Sequence, residues 1–261
     1  MLLEGRTVVV SGVGPGLGHR VAVAAARDGA NVVMGARTQE NLAKTAAEIE
    51  ADHPGRTAWK RTDIADPERC DALAALAVER FGRIDAVIHV AALDSHFGGL
   101  ADADFEDWRR VMDVNLFGTL QLTRSCLPAL RERGGSVVII GTQSSVAAPT
   151  QVRQAAYAAS KGALTSAMYS MARELGPERI RVNTVLPGWM WGPPVENYVT
   201  WTSATENIPE EEVKKRLTSR MALPELATDG DVAEAAIFLA CDRARAITGQ
   251  SLLVNAGELM R

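Results

Sequence analysis

Cysteine is scarce: Cys70, Cys126 and Cys241 are odd in number, far apart and without a CxxC pair. That spacing gives neither a disulfide framework nor a zinc site, and all three read as small core or surface residues. The four histidines, His19, His53, His89 and His96, lack metal spacing such as HxxxH, so no metal is assigned. No apolar run approaches the roughly 18 residues of a membrane span. The segment Met1 to Arg6 also lacks the charged-then-apolar order of a secretory signal, and a cytoplasmic protein with no membrane contact is expected. Basic residues are not in excess. The 28 Lys and Arg are scattered among 32 Asp and Glu, so no cationic stripe exists to neutralise a nucleic-acid backbone, and a small-molecule partner is expected.

What is present is an alternation. Apolar runs at Thr7 to Ser11, Asn31 to Gly35, Thr57 to Arg61, Ala86 to Val90, Ser136 to Ile140, Arg181 to Leu186 and Ser251 to Val254 read as strands. Between them, Leu17 to Asp28, Gln39 to Asp52, Pro67 to Phe81, Phe105 to Arg133, Ala156 to Leu175 and Asp231 to Cys241 carry helical periodicity. Runs such as Val137-Val138-Ile139-Ile140 are apolar at every position, as strands covered by helices on both faces must be. The expectation is α/β: a Rossmann-like, doubly wound parallel sheet of about seven strands in a single domain spanning 1–261. From Pro187 to about Pro224 the rhythm breaks into a stretch read as strandless and enriched in Trp and Tyr. So long an irregular connection is expected to be a substrate cap, with Trp189, Met190, Trp191, Tyr198 and Trp201 forming an apolar pocket.

The first strand runs into Ser11-Gly12-Val13-Gly14-Pro15-Gly16-Leu17-Gly18, and a helix follows. Glycine there lets the backbone turn tightly and approach a pyrophosphate, which exposed N–H groups and the positive helix end stabilise. The GxGxxG spacing is not met, because Leu17 or His19 stands where its third glycine belongs. The second strand ends in Gly35-Ala36-Arg37-Thr38, without the carboxylate that would accept from a ribose 2′-hydroxyl. A guanidinium at Arg37 suits a 2′-phosphate, which favours NADP(H), with NAD(H) as the alternative.

Tyr157-Ala158-Ala159-Ser160-Lys161 is a YxxxK pattern on a predicted helix, so its two polar side chains share one face. A free phenol, with a pKa of about 10, is a poor base at neutral pH. An ammonium about 5 Å away, at an effective dielectric of about 20, favours the phenolate by roughly 3 kcal/mol. Tyr157 is therefore expected to serve as an acid/base.

The spacing [T/S]GxxxGxG at Ser11, Gly12, Gly16 and Gly18, together with the YxxxK pattern, resembles the short-chain dehydrogenase/reductase family. The likeness extends through Arg181-Val182-Asn183, Pro187-Gly188 and the closing Val254-Asn255-Ala256-Gly257. It implies cofactor contacts at Gly12, Gly14, Gly16, Leu17 and Gly18, at Asp63 and Ile64 near the adenine, and at Pro187 and Gly188 near the nicotinamide, with Tyr157 and Lys161 touching the same molecule. Where such proteins carry Asn-Asn-Ala-Gly, this chain has His89-Val90-Ala91-Ala92. The small Ala91 and Ala92 still admit a cofactor, and His89 reads as a packed substitute.

The family's polarising serine, counted back from the tyrosine, gives Ser144. Counting forward from the strand gives Thr142, and Ser145 is adjacent. The helical Asn115 corresponds to the family's water-holding asparagine, which bends its helix and links Lys161 to solvent. Trp189-Met190-Trp191-Gly192-Pro193-Pro194 resembles a group of actinobacterial family members, some of them associated with mycofactocin.

The resemblance implies an NAD(P)-dependent oxidoreductase, and the apolar pocket points to a hydrophobic secondary alcohol or ketone. The rival enzyme reading is a 3-oxoacyl-(acyl-carrier-protein) reductase, for which Arg131 and Arg133 would supply a thin basic patch. A non-catalytic nucleotide sensor or scaffold is the alternative of another class. The resemblance further implies a homotetramer, with a dimer as the alternative; small and apolar surplus on the two long helices fits either.

Overall fold

The computed structural model describes residues 1–95, 97–149 and 152–260, so His96 lies outside the described residues. The principal strands are β1 (Thr7–Ser11), β2 (Asn31–Ala36), β3 (Thr57–Arg61), β4 (Ala86–His89), β5 (Gly135–Ile140) and β6 (Ile180–Pro187), with β9 (Ser251–Val254) closing the chain. All pair in parallel, in the order β3-β2-β1-β4-β5-β6-β9. The order reverses between β1 and β4, which opens a crevice at their carboxyl ends, the usual ligand position in such sheets.

The central strands are buried along their length because helices cover both faces. Alternate side chains divide between two layers. Val8, Val10 and Ile88 pack with Val21 of α1 (Leu17–Arg27) and Ile237 of α9 (Asp229–Ala240). Val9 and Val87 pack with Leu73 of α3 (Pro67–Phe81), Leu122 of α5 (Thr119–Arg133) and Met168 of α6 (Ala155–Leu175). Each such side chain contributes about 1.5–3 kcal/mol on burial, so the layers grip the sheet from both sides.

Two expectations need correction. The helix expected over Phe105 to Arg133 is interrupted: α4 (Phe105–Met112) gives way to a π-helical turn, Asp113–Gly118, before α5 begins. At that turn Gly118 presses on Ile64, where an added Cβ would lie 2.8 Å from the isoleucine side chain. The segment after Pro187 is also not strandless. Strand β7 (Met190–Trp191) pairs in parallel with β8 (Ala227–Thr228), which lies far along the sequence. Between them α7 (Pro193–Glu206) and α8 (Glu210–Thr218) close on a small cluster of Val195, Val199, Val213 and Leu217. Among the described residues no helix is long and apolar enough to cross a membrane.

Candidate active site

The carboxyl ends of the central strands open on a cleft of about 540 Å³, and Gly12, Gly14, Gly16, Leu17 and Gly18 line it. Gly12 has φ near +83°, and a Cβ there would lie 2.3 Å from the backbone nitrogen of Ala91. The loop thus meets the end of β4 main chain to main chain, and the Ser11 carbonyl accepts from Val90 and Ala91 at 3.0 Å each. Helix α1 starts at Leu17, after a Gly16 that offers no side-chain cap, and has no acidic residue in its first turn. Its unpaired N–H groups and positive end therefore suit the pyrophosphate of a dinucleotide. Arg37, Asp63, Ile64, Ala91, Ala92, Pro187 and Gly188 line the same cleft. Arg37 is exposed and has no ion-pair partner among the described residues, while the Asp63 carboxylate accepts from the Ala65 N–H at 3.1 Å.

Tyr157 and Lys161 stand one turn apart on α6, and both line the cleft. The lysine Nζ lies 5.9 Å from the tyrosine ring centroid and donates to the Ile140 carbonyl at 2.7 Å. Burial pushes the Tyr157 phenol up from its ordinary value, the nearby Asp94 carboxylate adds to this, and a hydrogen bond with Thr142 acts in the opposite sense. Burial lowers Lys161 to about 8, against the opposing charge of Asp94. At this depth desolvation disfavours phenolate and ammonium alike.

The three hydroxyls considered for the polarising role share one loop. Thr142 lines the cleft with Tyr157, and Ser144 does not. Ser144 donates its backbone N–H to the Thr142 hydroxyl at 3.2 Å, and the Ser145 hydroxyl donates to the Thr142 carbonyl at 2.7 Å. Both serines thus brace the threonine.

Asn115 lies in the π-helical turn, so the helix departs from α geometry there. Its side chain is engaged with neighbouring elements. Oδ1 accepts from the Leu93 N–H at 2.7 Å, and Nδ2 donates to the Leu93 carbonyl at 3.1 Å and to Ser160 Oγ at 2.9 Å. Asn115 thereby pins the loop before Asp94 against α6. His89 is buried, pairs with Thr123 at 2.9 Å, and is held near a pKa of about 3 by burial and by Lys161, so it stays a neutral packed residue.

A second cavity, of about 1070 Å³, meets the cleft at Asp94, Thr142, Pro187 and Gly188. Trp189, Tyr198 and Trp201 line it, the first two with ring centroids 4.9 Å apart. Met190 and Trp191 do not. Met190 lines the glycine cleft, whereas Trp191 faces a neighbouring hollow beside α1 and lies under the Lys214 ammonium, 4.8 Å from its centroid. Both belong to β7, where successive side chains leave on opposite faces. The sequence reading did not single out Asp94, Phe97, Val152, Arg220 or Glu258, which also line the second cavity. For Asp94 the available signal was its place two residues after Ala92; the others arrive from distant segments with no local signature.

Comparison with known proteins agrees with this geometry. The family described as "Enoyl-(Acyl carrier protein) reductase" matches residues 12–258. An L-rhamnose 1-dehydrogenase (NAD(P)(+)) of Azotobacter vinelandii is 34% identical, covering 98% of both chains. A 3-oxoacyl-[acyl-carrier-protein] reductase of Thermotoga maritima is 30% identical over 98% of this chain and 99% of its own. Among solved structures, carveol dehydrogenase from Mycobacterium avium in complex with NAD superposes with a TM-score of 0.91 at 27% identity, covering 100% of this chain and 99% of that one. With a glycine-walled dinucleotide cleft and a tyrosine–lysine pair at its chemical end, the chain belongs to the short-chain dehydrogenase/reductase family and is an NAD(P)-dependent oxidoreductase.

Proposed function

We propose that the protein moves a hydride between the nicotinamide and a hydrophobic secondary alcohol or ketone, with Tyr157 as the acid/base. One observation carries this reading: Thr142, which lines the glycine cleft with Tyr157, also lines the aromatic cavity. A carbonyl entering from the aromatic side meets both hydroxyls at the junction. In reduction Tyr157 donates its proton to the carbonyl oxygen, Thr142 donates a hydrogen bond to the same oxygen, and Lys161 favours the phenolate left behind. The dinucleotide, when bound, supplies the hydride in reduction and accepts it in oxidation. In oxidation the phenolate takes the hydroxyl proton.

Trp189, Tyr198 and Trp201 favour an apolar substrate body. The likeness to a carveol dehydrogenase supports a small cyclic alcohol and sits well with the resemblance of the Trp189 to Pro194 segment. The likeness to a 3-oxoacyl-[acyl-carrier-protein] reductase supports the second reading. Against it, Arg131 is engaged with Glu178 at 2.7 Å, which thins the basic patch that an acidic carrier would need. Following the absorbance of reduced nicotinamide with a panel of cyclic ketones and carrier-linked thioesters separates the two. Turnover of thioesters alone would overturn the alcohol/ketone reading, and turnover of neither would favour the non-catalytic one.

The roles of Thr142 and Ser144 make a paired test. Thr142→Val is expected to lower kcat by about 10²–10³-fold, the usual cost of one lost donor to a developing oxyanion, whereas Ser144→Ala should leave kcat nearly unchanged. The reverse pattern would return the polarising role to Ser144.

For the cofactor, we read Arg37 as the partner of a 2′-phosphate, and hence a preference for NADP(H) over NAD(H). Losing one charge-assisted contact costs about 1.5–3 kcal/mol, so Arg37→Ser is expected to raise the KM for NADPH about tenfold or more and to leave that for NADH little changed. Equal effects on both cofactors would remove the basis for the preference. Exposed Phe105 and Phe117 on the helix through the π turn, and Tyr169 on α6, support association into a homo-oligomer, with a tetramer as our reading.

A further inference from the structure

The C-terminal segment after β9 returns to the aromatic cavity, and none of the roles assigned above uses it. The Glu258 side chain is only 5% exposed, and both of its oxygens are engaged. Arg220, from the stretch after α8, pairs with Oε1, and Gln143 Nε2 donates to Oε2 at 3.0 Å. Gln143 Oε1 in turn accepts from Asn255 Nδ2 at 2.5 Å, and the same Nδ2 donates to the Leu259 carbonyl at 2.9 Å. The main chain repeats the junction, since the N–H groups of Ala222 and Leu223 both donate to the Ala256 carbonyl at 3.0 Å. Gly257, at φ near +80°, lies so close that an added Cβ would fall 2.6 Å from the Cβ of Ala222.

One buried carboxylate thus joins three separate stretches: the loop carrying Thr142, the segment after α8, and the tail. Gln143, Arg220, Glu258 and Leu259 all line the cavity that Trp189 and Trp201 line. The Arg220 end of the ion pair is 36% exposed, so the pair itself adds little net stability. A fully satisfied polar network does, however, hold its members in one arrangement. Glu258 meets that condition.

We propose that Glu258 is a positioning residue that sets the closed end of the substrate cavity by fastening the tail to Gln143 and Arg220, and so fixes the largest alcohol or ketone the site accepts. This rests on the reading of the aromatic cavity as the substrate pocket. Without the clasp the tail leaves the wall, larger substrates enter, and small ones lose apolar contact.

The test compares kcat/KM across a series of ketones of rising size for the wild type, Glu258→Ala, Glu258→Gln and Gln143→Leu. Amide hydrogen exchange at Ala222 and Leu223 is measured alongside. In Glu258→Ala the ratio of the largest to the smallest ketone is expected to rise about tenfold, within the range that pocket shape contributes to selectivity. The shift should appear in KM more than in kcat, cofactor affinity should hold, and exchange at the two amides should speed up. Glu258→Gln, which keeps the shape and two polar atoms, should restore most of the wild-type ratio. Gln143→Leu should reproduce the shift with the Arg220 pair intact, and it carries the test if Glu258→Ala does not fold. An unchanged ratio, or a uniform loss for every ketone and for the cofactor, would overturn the proposal. Should the wild type turn over no ketone, the pocket reading fails instead, and unaltered exchange at Ala222 and Leu223 would still sink the clasp.

Discussion

Tyr157→Phe is expected to lower kcat by about 10²–10⁴-fold, the range that a positioned acid/base contributes. The substitution keeps the ring, its packing on α6 and its relation to Lys161, and it removes only the oxygen that exchanges a proton with the substrate. Cofactor affinity, measured by calorimetry, should therefore stay close to wild type, which separates lost chemistry from a lost site. The pH dependence gives a second readout. Burial and Asp94 push the phenol up, so the deprotonated form needed for alcohol oxidation grows with rising pH. Wild-type oxidation should accordingly climb on the alkaline side, and the residual rate of Tyr157→Phe should lose that dependence. A variant that kept a tenth of the activity with the same pH profile would place the acid/base elsewhere.

Gly12→Ala is expected to abolish cofactor binding and to destabilise the fold. The added Cβ would sit 2.3 Å from the nitrogen and 2.4 Å from the Cα of Ala91, both main-chain atoms that cannot turn aside. Its φ near +83° adds a left-handed penalty of roughly 1–2 kcal/mol for a residue with a side chain. Relief requires β1 and β4 to part at the point where the sheet order reverses, and the cleft lies there. Gly14→Ala is the control, because a Cβ at Gly14 meets nothing within 4 Å. It should melt near wild type and affect only ligands entering the cleft. Equal thermal shifts for the two variants would show that the close approach at Gly12 does not matter.

Much of this was legible because burial on both faces leaves a plain record. Val137 to Ile140 is apolar without alternation, and its neighbours in register, Val182 to Val185, differ only at Thr184 and at Asn183, whose amide bonds the Ile247 carbonyl and the Gln250 N–H. The glycine loop and the tyrosine–lysine pair were legible because each function is confined to a few consecutive residues. The polarising hydroxyl was not fixed by counting. The count back from Tyr157 crosses a loop whose length is free, whereas the count from β5 is set by strand pairing that ends at Ile140, two residues before Thr142. Met190 and Trp191 were misplaced for a similar reason. Only a partner strand at Ala227–Thr228 makes them alternate, and nothing near them in sequence announces it. The π-helical turn leaves no periodic trace, since six residues are too few to shift a pattern read over Phe105 to Arg133.

Lys161 shows what such chemistry asks of the molecule as a whole. Its side chain is 2% exposed, and its pKa falls from 10.5 to about 8, so the unfolded chain holds that proton more tightly than the folded one does. Between those two pH values the unfolded state binds more protons, and stability rises with pH. Below about pH 8 the whole burden is present, on the order of 3 kcal/mol at about 1.4 kcal/mol per pKa unit. That is a substantial share of the 5–15 kcal/mol or so that separates a typical domain from unfolding. The fold therefore tolerates, at its centre and at neutral pH, a charge that works against its own persistence, and its margin against heat is narrower than its packing alone would allow.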